Sequence, residues 1–188
     1  MRLNVFVMAA LVGACMGSKP RQSFDMPPPD HYVVTVDPSV TLAQTVMLSE
    51  ALDAWSEVME RPGFFILQEG TFDHRDIPPL HEVRVYGLPG YSAVTKLAGA
   101  TTVWGVDDCD RPFQSRIWLD TSLPVSVLEV VMRHEVGHAL GLSHSSDVNS
   151  VMYPVARPDF DNAITCQDAT SLCAMWQCDP RCDVTETP

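Results

Sequence analysis

Apolar and polar residues alternate along the chain in blocks that predict an ordered succession of strands and helices. Residues 31–36 (HYVVTV) are rich in β-branched side chains and predict a first strand. Residues 41–60 place apolar side chains near helical spacing and predict a long amphipathic helix, which ends at Arg61-Pro62-Gly63. Short apolar runs predict further strands at 64–68, 83–86, 101–106 and 116–119.

Two more helices are predicted after these strands. Ser126 and Glu129 form the Ser-x-x-Glu capping-box pattern directly before an apolar-periodic run, which predicts a helix over 127–141. Residues 165–176 predict a closing helix. A strand and a helix, then several strands and two helices, indicate an α+β domain.

The amino-terminal segment has the pattern of an export signal. Residues 5–13 are an apolar run too short to span a bilayer, so we interpret 1–14 as a signal peptide. Residues 12–15 resemble a lipobox, which predicts lipidation of Cys15; an ordinary secretory signal is the alternative. Residues 15–30 contain four prolines and predict a tether before a domain over 31–177 and a tail over 178–188. The expected location is extracytoplasmic, either lipid-anchored or secreted.

Composition narrows the possible partners. A length of 188 residues with 46% hydrophobic content suits one globular domain with flanking segments. The 24 acidic and 12 basic residues give a net charge of −12, which excludes nucleic acid and anionic membrane surfaces as expected partners. We therefore expect a monomer that contacts a membrane only through a lipid anchor.

Six cysteines in an exported chain predict disulfides. If Cys15 is lipidated, five remain, which leaves two bridges and one free thiol. Cys166 and Cys173 lie two turns apart on a predicted helix, about 10 Å, and cannot bridge each other. The bridges must therefore involve the tail or Cys109.

Candidate chemistry is concentrated in residues 134–154, HEVGHALGLSHSSDVNSVMYP. His134 and His138 lie one turn apart on the same helix face, so both rings can reach one metal ion. Gly141 suits the left-handed end of a helix, after which the chain can turn and bring back His144 as a third nitrogen ligand. Three imidazoles leave a fourth tetrahedral position for water, which is typical of a catalytic zinc, and Glu135 lies beside it as a general base.

A bare HExxH occurs by chance in helices, but the extended HExxHxxGxxH with a later methionine is the metzincin signature. His144-Ser145 and the Met152-Tyr153-Pro154 turn resemble the matrixin pattern within that group. The resemblance implies a metzincin fold with a mixed twisted sheet and three main helices. It also implies one zinc ion on the three histidines, Glu135 as base and Met152 as the hydrophobic floor beneath the metal.

The resemblance implies a zinc-dependent endopeptidase that hydrolyses peptide or protein substrates through a zinc-activated water, with Glu135 as general base. The alternative is a catalytically silent or very narrow-specificity surface protein on the same fold. In the family, the strand just ahead of the active-site helix is expected at the sheet edge where a peptide docks, which assigns Ile117 and Leu119 to substrate binding. Pro154 is assigned there too, and 157–161 is expected to line a specificity pocket.

Several positions depart from the matrixin pattern. Asp168 is followed by Ala169, where the family has a second aspartate that pairs with a freed amino terminus. His74 and Asp76 imitate part of a second zinc site, but Trp118 stands where the family has a histidine. We therefore expect the following histidines to be surface residues: His31, His74 and His81. Calcium is possible at the acidic turn that contains Asp107, Asp108 and Asp110, but these residues do not follow the ligand spacing of a known calcium-binding loop.

The tail segment Pro180-Arg181-Cys182-Asp183 resembles the matrixin cysteine switch at the opposite end of the chain. A Cys182 thiolate in the open zinc position is chemically possible. A disulfide that ties the tail to the last helix is the favoured alternative.

Overall fold

Five strands form one mixed sheet in the computed structural model, which describes residues 29–107, 109–155 and 163–182. The strands are β1 (Tyr32–Val36), β2 (Phe65–Glu69), β3 (Glu82–Gly87), β4 (Gly99–Val106) and β5 (Pro112–Leu119). Their order across the sheet is β2-β1-β3-β5-β4. The pairs β1–β2, β1–β3 and β3–β5 are parallel, whereas β4 runs antiparallel to β5 at the edge. The predicted α+β class with a mixed sheet is confirmed.

Three longer helices and one short helix complete the described fold. They are α1 (Leu42–Val58), α2 (Tyr91–Thr95), α3 (Val125–Ala139) and α4 (Cys166–Trp176). Thr41 caps α1 and Thr165 caps α4, each by accepting a hydrogen bond from the backbone N–H three residues on. These hydroxyls satisfy backbone donors that have no partner within the helix.

The start of α3 differs from its prediction. The helix begins at Val125 after Pro124, and no side chain caps it, so the predicted capping box of Ser126 and Glu129 is wrong. Ser126 lies inside the first turn, where its hydroxyl does not occupy the capping position. The helix ends at Ala139, two residues before the predicted end.

The strand that precedes α3 also occupies a different place from the one expected. β5 is hydrogen-bonded to β3 on one side and to β4 on the other, so its predicted position at the sheet edge is wrong. Ile117 and Leu119 are 1% and 0% exposed. Their backbone edges are paired and their side chains lie in the core, which excludes the assignment of these two residues to a peptide-docking edge. The edge strand nearest to α3 is β4.

The core lies between the sheet and the helices α1, α3 and α4. Trp55 of α1 and Trp176 of α4 are fully buried, and each indole N–H is satisfied. Trp55 donates to the carbonyl of Arg133 at 2.9 Å, and Trp176 donates to the carbonyl of Leu140 at 2.9 Å. Both bonds end on α3 or on the residue after it, so the two indoles hold this helix in place from two sides.

The other face of the sheet carries an arginine–aromatic cluster. Arg116 is 5% exposed, and its guanidinium lies 4.5 Å from the ring centroid of Trp104 and 5.4 Å from that of Trp118. It donates hydrogen bonds to the backbone carbonyls of His74 and Asp76. Arg116 therefore fastens the loop between β2 and β3 to the sheet.

This loop holds the sequence that imitates a second zinc site. His31 and His74 are exposed as expected, while His81 is half-buried with its ring 5.7 Å from that of Tyr32. Among the described residues, only the group at His134 brings three metal-ligating side chains together.

Two disulfides close the carboxy-terminal segment. Cys166 of α4 bonds to Cys182, and Cys173 bonds to Cys178. Both bridges use tail cysteines, as expected from the 10 Å estimate for a direct Cys166–Cys173 bond, and Cys109 is the free thiol of the described part. The hypothesis of a Cys182 switch in the zinc site is wrong, because that sulfur is bonded to α4.

No helix among the described residues is long and apolar enough to cross a bilayer. Several predictions concern residues outside the described ranges. They are the signal peptide with Cys15, the tether up to residue 28, Asp108 and the loop at 157–161.

Replacing Arg116 by methionine is expected to lower the free energy of unfolding by about 2–4 kcal/mol. The substitution removes the buried cation that packs on the Trp104 and Trp118 rings and leaves two backbone carbonyls without their donor. Urea denaturation measures this loss. Arg75→Met changes an exposed arginine in the same loop and is expected to leave stability within about 0.5 kcal/mol. Equal stability of the two variants would contradict the anchoring role.

Candidate metal centre

Three imidazole rings converge at the end of α3. His134 and His138 are four residues apart on the helix, and their Nε2 atoms lie 3.0 Å from each other. At Gly141 the backbone takes φ +102°, a conformation that favours glycine, and the chain reverses. This turn brings back His144, whose ring centroid lies 5.3 Å from that of His134 and 4.9 Å from that of His138.

Backbone carbonyls determine which nitrogen of each helical histidine carries the proton. Nδ1 of His134 lies 2.7 Å from the carbonyl oxygen of Val151, and Nδ1 of His138 lies 2.7 Å from that of Leu142. A carbonyl oxygen only accepts hydrogen bonds, so each Nδ1 is the donor and each Nε2 presents a lone pair. The two lone pairs therefore face each other across 3.0 Å.

Burial keeps these rings neutral. Desolvation is the largest cause that lowers the pKa of His134 well below 6.5, and the neighbouring His138 adds to it. Burial lowers the pKa of His138 to about 4 and also lowers the pKa of His144. Neutral imidazoles are the form that binds a metal ion.

The arrangement fits a zinc ion by the chemistry of its donors. One ligand nitrogen from each of His134, His138 and His144 lies within 4.8 Å of the others. Nε2 of His144 is buried without a hydrogen-bond partner among the described residues. Three neutral imidazole nitrogens at this spacing suit Zn²⁺, which takes imidazole ligands in tetrahedral geometry.

Met152, which the resemblance assigns to the floor beneath the metal, packs against α3. Its side chain is 0% exposed, and its sulfur packs against Gly137 in the last turn of α3. A β-carbon at Gly137 would collide with this sulfur and would lie 2.9 Å from the Trp55 ring. Glycine inside a helix costs about 1 kcal/mol relative to alanine, and the close packing of Met152 explains why it stands here.

The turn that contains Met152 is fixed to its surroundings by hydrogen bonds. The hydroxyl of Ser150 donates to a carboxylate oxygen of Asp168 at 2.7 Å and accepts from the backbone N–H of Met152 at 2.8 Å. The carbonyl of Met152 accepts from the N–H of Ser145 at 2.9 Å. Asp168, the single aspartate noted in the sequence, therefore connects α4 to this turn while it also caps the helix.

Glu135 lies on the same helix between the two histidines and is 0% exposed. Its Oε2 accepts a hydrogen bond from the hydroxyl of Thr101 at 2.6 Å, while its Oε1 has no partner among the described residues. Burial raises the pKa of Glu135 to about 8, and the Thr101 hydroxyl acts in the opposite direction. A cation bound by the histidines would favour the charged carboxylate.

Two residues near Glu135 were missed by sequence reasoning. Thr101 of β4 contacts the carboxylate directly. Burial is the largest cause that raises the pKa of Tyr91 on α2, and the charge of Glu135 raises this pKa further. No motif marks either position, because both lie far from Glu135 in sequence and interact with it only in the folded chain. Pro154, which was assigned to substrate binding, is half-buried just after the methionine turn, and its role stays a prediction.

Sequence comparisons identify one matching family model and two similar curated proteins. A family model described as matrixin matches residues 103–176. Metalloendoproteinase 1-MMP of Arabidopsis thaliana is 36% identical over 83 residues, which is 44% of this chain and 21% of the relative. Metalloendoproteinase 1 of Glycine max is 58% identical over 31 residues, 16% of this chain and 10% of the relative. The chain thus spans about a fifth or less of the length of these curated relatives.

The fold has a counterpart among solved structures. Metalloproteinase-II from Bacteroides fragilis superposes with a TM-score of 0.56 at 12% identity, over 95% of this chain and 58% of that chain. At this identity the likeness concerns the fold alone. Residues 103–176 are thus similar to the matrixin family, and the described fold, with its three-histidine group, is similar to that of this metalloproteinase.

Proposed function

We propose that this chain is a zinc-dependent endopeptidase. The observation that carries the proposal is the convergence of three imidazole nitrogens within 4.8 Å beside a buried glutamate on the same helix. Matrixin similarity over 103–176 supports it, and two relatives carry the name metalloendoproteinase.

Each side chain has a distinct part in this proposal. The zinc ion is held by His134, His138 and His144. Hydrogen bonds from Nδ1 orient the rings of His134 and His138, and Nε2 of His144 is buried. Zinc supplies a Lewis acid for the scissile carbonyl and lowers the pKa of water at the site. Glu135 accepts a proton from the attacking water at Oε1, which has no hydrogen-bond partner among the described residues, and returns the proton to the leaving amine.

The substrate in this proposal is a peptide segment in extended conformation. β4 pairs with β5 on one side, and no described strand pairs with its other edge. A free strand edge can accept an extended peptide through backbone hydrogen bonds. β4 also contacts Glu135 through Thr101, which puts this edge next to the proposed general base.

The proposed setting is extracytoplasmic. The disulfides Cys166–Cys182 and Cys173–Cys178 are typical of proteins that mature in an oxidising compartment. The predicted lipid anchor at Cys15 extends this proposal to a monomeric peptidase held at a membrane surface.

Glu135→Ala is expected to lower the rate of peptide hydrolysis about 10²–10⁴-fold, because it removes the proton acceptor. The variant keeps all three histidines and is expected to bind one equivalent of zinc. The measurement is turnover of a fluorogenic peptide library by the zinc-loaded protein, together with metal analysis.

Glu129→Ala is the matched control, because Glu129 is exposed on the same helix. It is expected to retain full turnover. Activity that persists in Glu135→Ala would refute the proposed role of Glu135. A parent protein that cleaves no peptide in a proteome-wide cleavage profile, with or without a chelator, would favour the silent binding protein instead.

Zinc retention is expected to depend on pH through the histidines. An imidazole binds zinc only when it is neutral. The metal is therefore held at a pH above the pKa of the ligand imidazoles in the folded protein, and it is lost as the pH falls through that pKa. Because the pKa of His138 is lowered from 6.5 to about 4, release is expected as the pH approaches that value, well below 6.5.

Metal content after gel filtration between pH 7.5 and pH 3.5 measures this release. His74→Gln changes an exposed histidine and is expected to follow the same curve as the parent. Loss of zinc already at pH 6.5 would contradict the depressed pKa values, whereas retention throughout the range would contradict the proposal that the histidines hold the metal.

A further inference from the structure

Thr101 is the hydrogen-bond partner of the Glu135 carboxylate. Its hydroxyl oxygen lies 2.6 Å from Oε2 of Glu135 and 3.1 Å from the backbone carbonyl oxygen of the same residue. A hydroxyl has one proton to donate, and the shorter distance directs it to the carboxylate. Thr101 lies on β4, so the contact joins the edge strand to the active-site helix.

Gly99, two residues earlier on β4, makes this contact possible. A β-carbon at Gly99 would lie 2.9 Å from both Cγ and Oε1 of Glu135, and 2.8 Å from Val131 on the same helix. A side chain at this position would therefore push Glu135 away from the strand. Glycine at 99 and threonine at 101 together form a close seat for the carboxylate.

The contacts from Gly99 and Thr101 matter because the carboxylate at the end of a glutamate side chain rotates easily. The last side-chain torsion of glutamate has a broad, roughly two-fold profile and is not fixed by staggering. In this chain the Thr101 bond selects one orientation, and Oε1 is the oxygen left without a partner among the described residues. Correct placement of a catalytic group within about 1 Å is worth up to about a hundredfold in rate.

We propose that Thr101 is a positioning residue for the general base: its hydroxyl holds Oε2 of Glu135 and leaves Oε1 to accept the proton. The inference rests on the proposed peptidase function and adds the part of the edge strand in it. Thr101 contacts neither the zinc ligands nor the substrate in this assignment, and it acts only through Glu135.

The test compares two substitutions at this position. Thr101→Val keeps the shape of the side chain and removes the hydroxyl, and it is expected to lower kcat about ten- to hundredfold with KM within about twofold of the parent. Thr101→Ser keeps the hydroxyl and is expected to restore kcat to within about threefold of the parent. Zinc content is expected to be unchanged in both variants.

Thr45→Val is the matched control. Thr45 lies on α1, and its hydroxyl donates to the carbonyl of Thr41 at 3.1 Å. The same chemical change there is expected to leave kcat unchanged.

A second readout does not depend on activity. In a double-mutant cycle on the metal-free protein, Thr101→Val is expected to lower Tm by about 2–4 °C in the parent and clearly less in the Glu135→Ala background. A difference between the backgrounds shows that the two side chains are coupled. Equal losses in both backgrounds would mean that Thr101 stabilises the strand alone, which overturns the proposal.

The activity outcomes are equally decisive. A folded, zinc-loaded Thr101→Val protein with the kcat of the parent would overturn the positioning role, as would a Thr101→Ser variant no better than valine. If the parent cleaves no peptide, the proposed function fails, and the Tm cycle alone decides whether Thr101 holds Glu135.

Discussion

Mutual repulsion between imidazole lone pairs is the constraint around which the active region is arranged. The Nε2 atoms of His134 and His138 approach within 3.0 Å while both Nδ1 protons are committed to carbonyls. Neither ring can relieve the contact by changing its tautomer without losing a buried hydrogen bond. A cation bound between the two nitrogens would replace this repulsion by attraction. The arrangement of the histidines therefore favours metal binding.

Such an arrangement needs a rigid frame, and the carboxy-terminal half supplies it. Val151 accepts from His134, Ser150 next to it donates to Asp168, and Asp168 belongs to α4. The disulfide at Cys166 and the indole of Trp176 then fasten α4 to the tail and to the end of α3. These contacts all fall near or within residues 103–176, the segment that matches the matrixin model.

Local sequence was a good guide to the histidine motif, where short-range chemistry decides structure, but it misplaced the first turn of α3. The helical spacing of His134 and His138 and the turn at Gly141 follow from motif geometry, and the structure brings the three histidines together. The neighbour order of strands is a property of the whole sheet, so the periodicity of β5 identified a buried strand and not its place beside β4. Thr101 escaped notice for the same reason, because only the folded sheet brings it to Glu135.

Arg116 has a consequence for how the molecule depends on its environment. The loop that imitates part of a second zinc site is held to the sheet by a guanidinium that is part of the chain. A covalently attached cation keeps its charge at any physiological pH and cannot be withdrawn by a chelator or a competing metal-binding protein. The loop between β2 and β3 is thus held to the sheet without a metal ion, so removal of metal from the three-histidine site would leave this attachment intact.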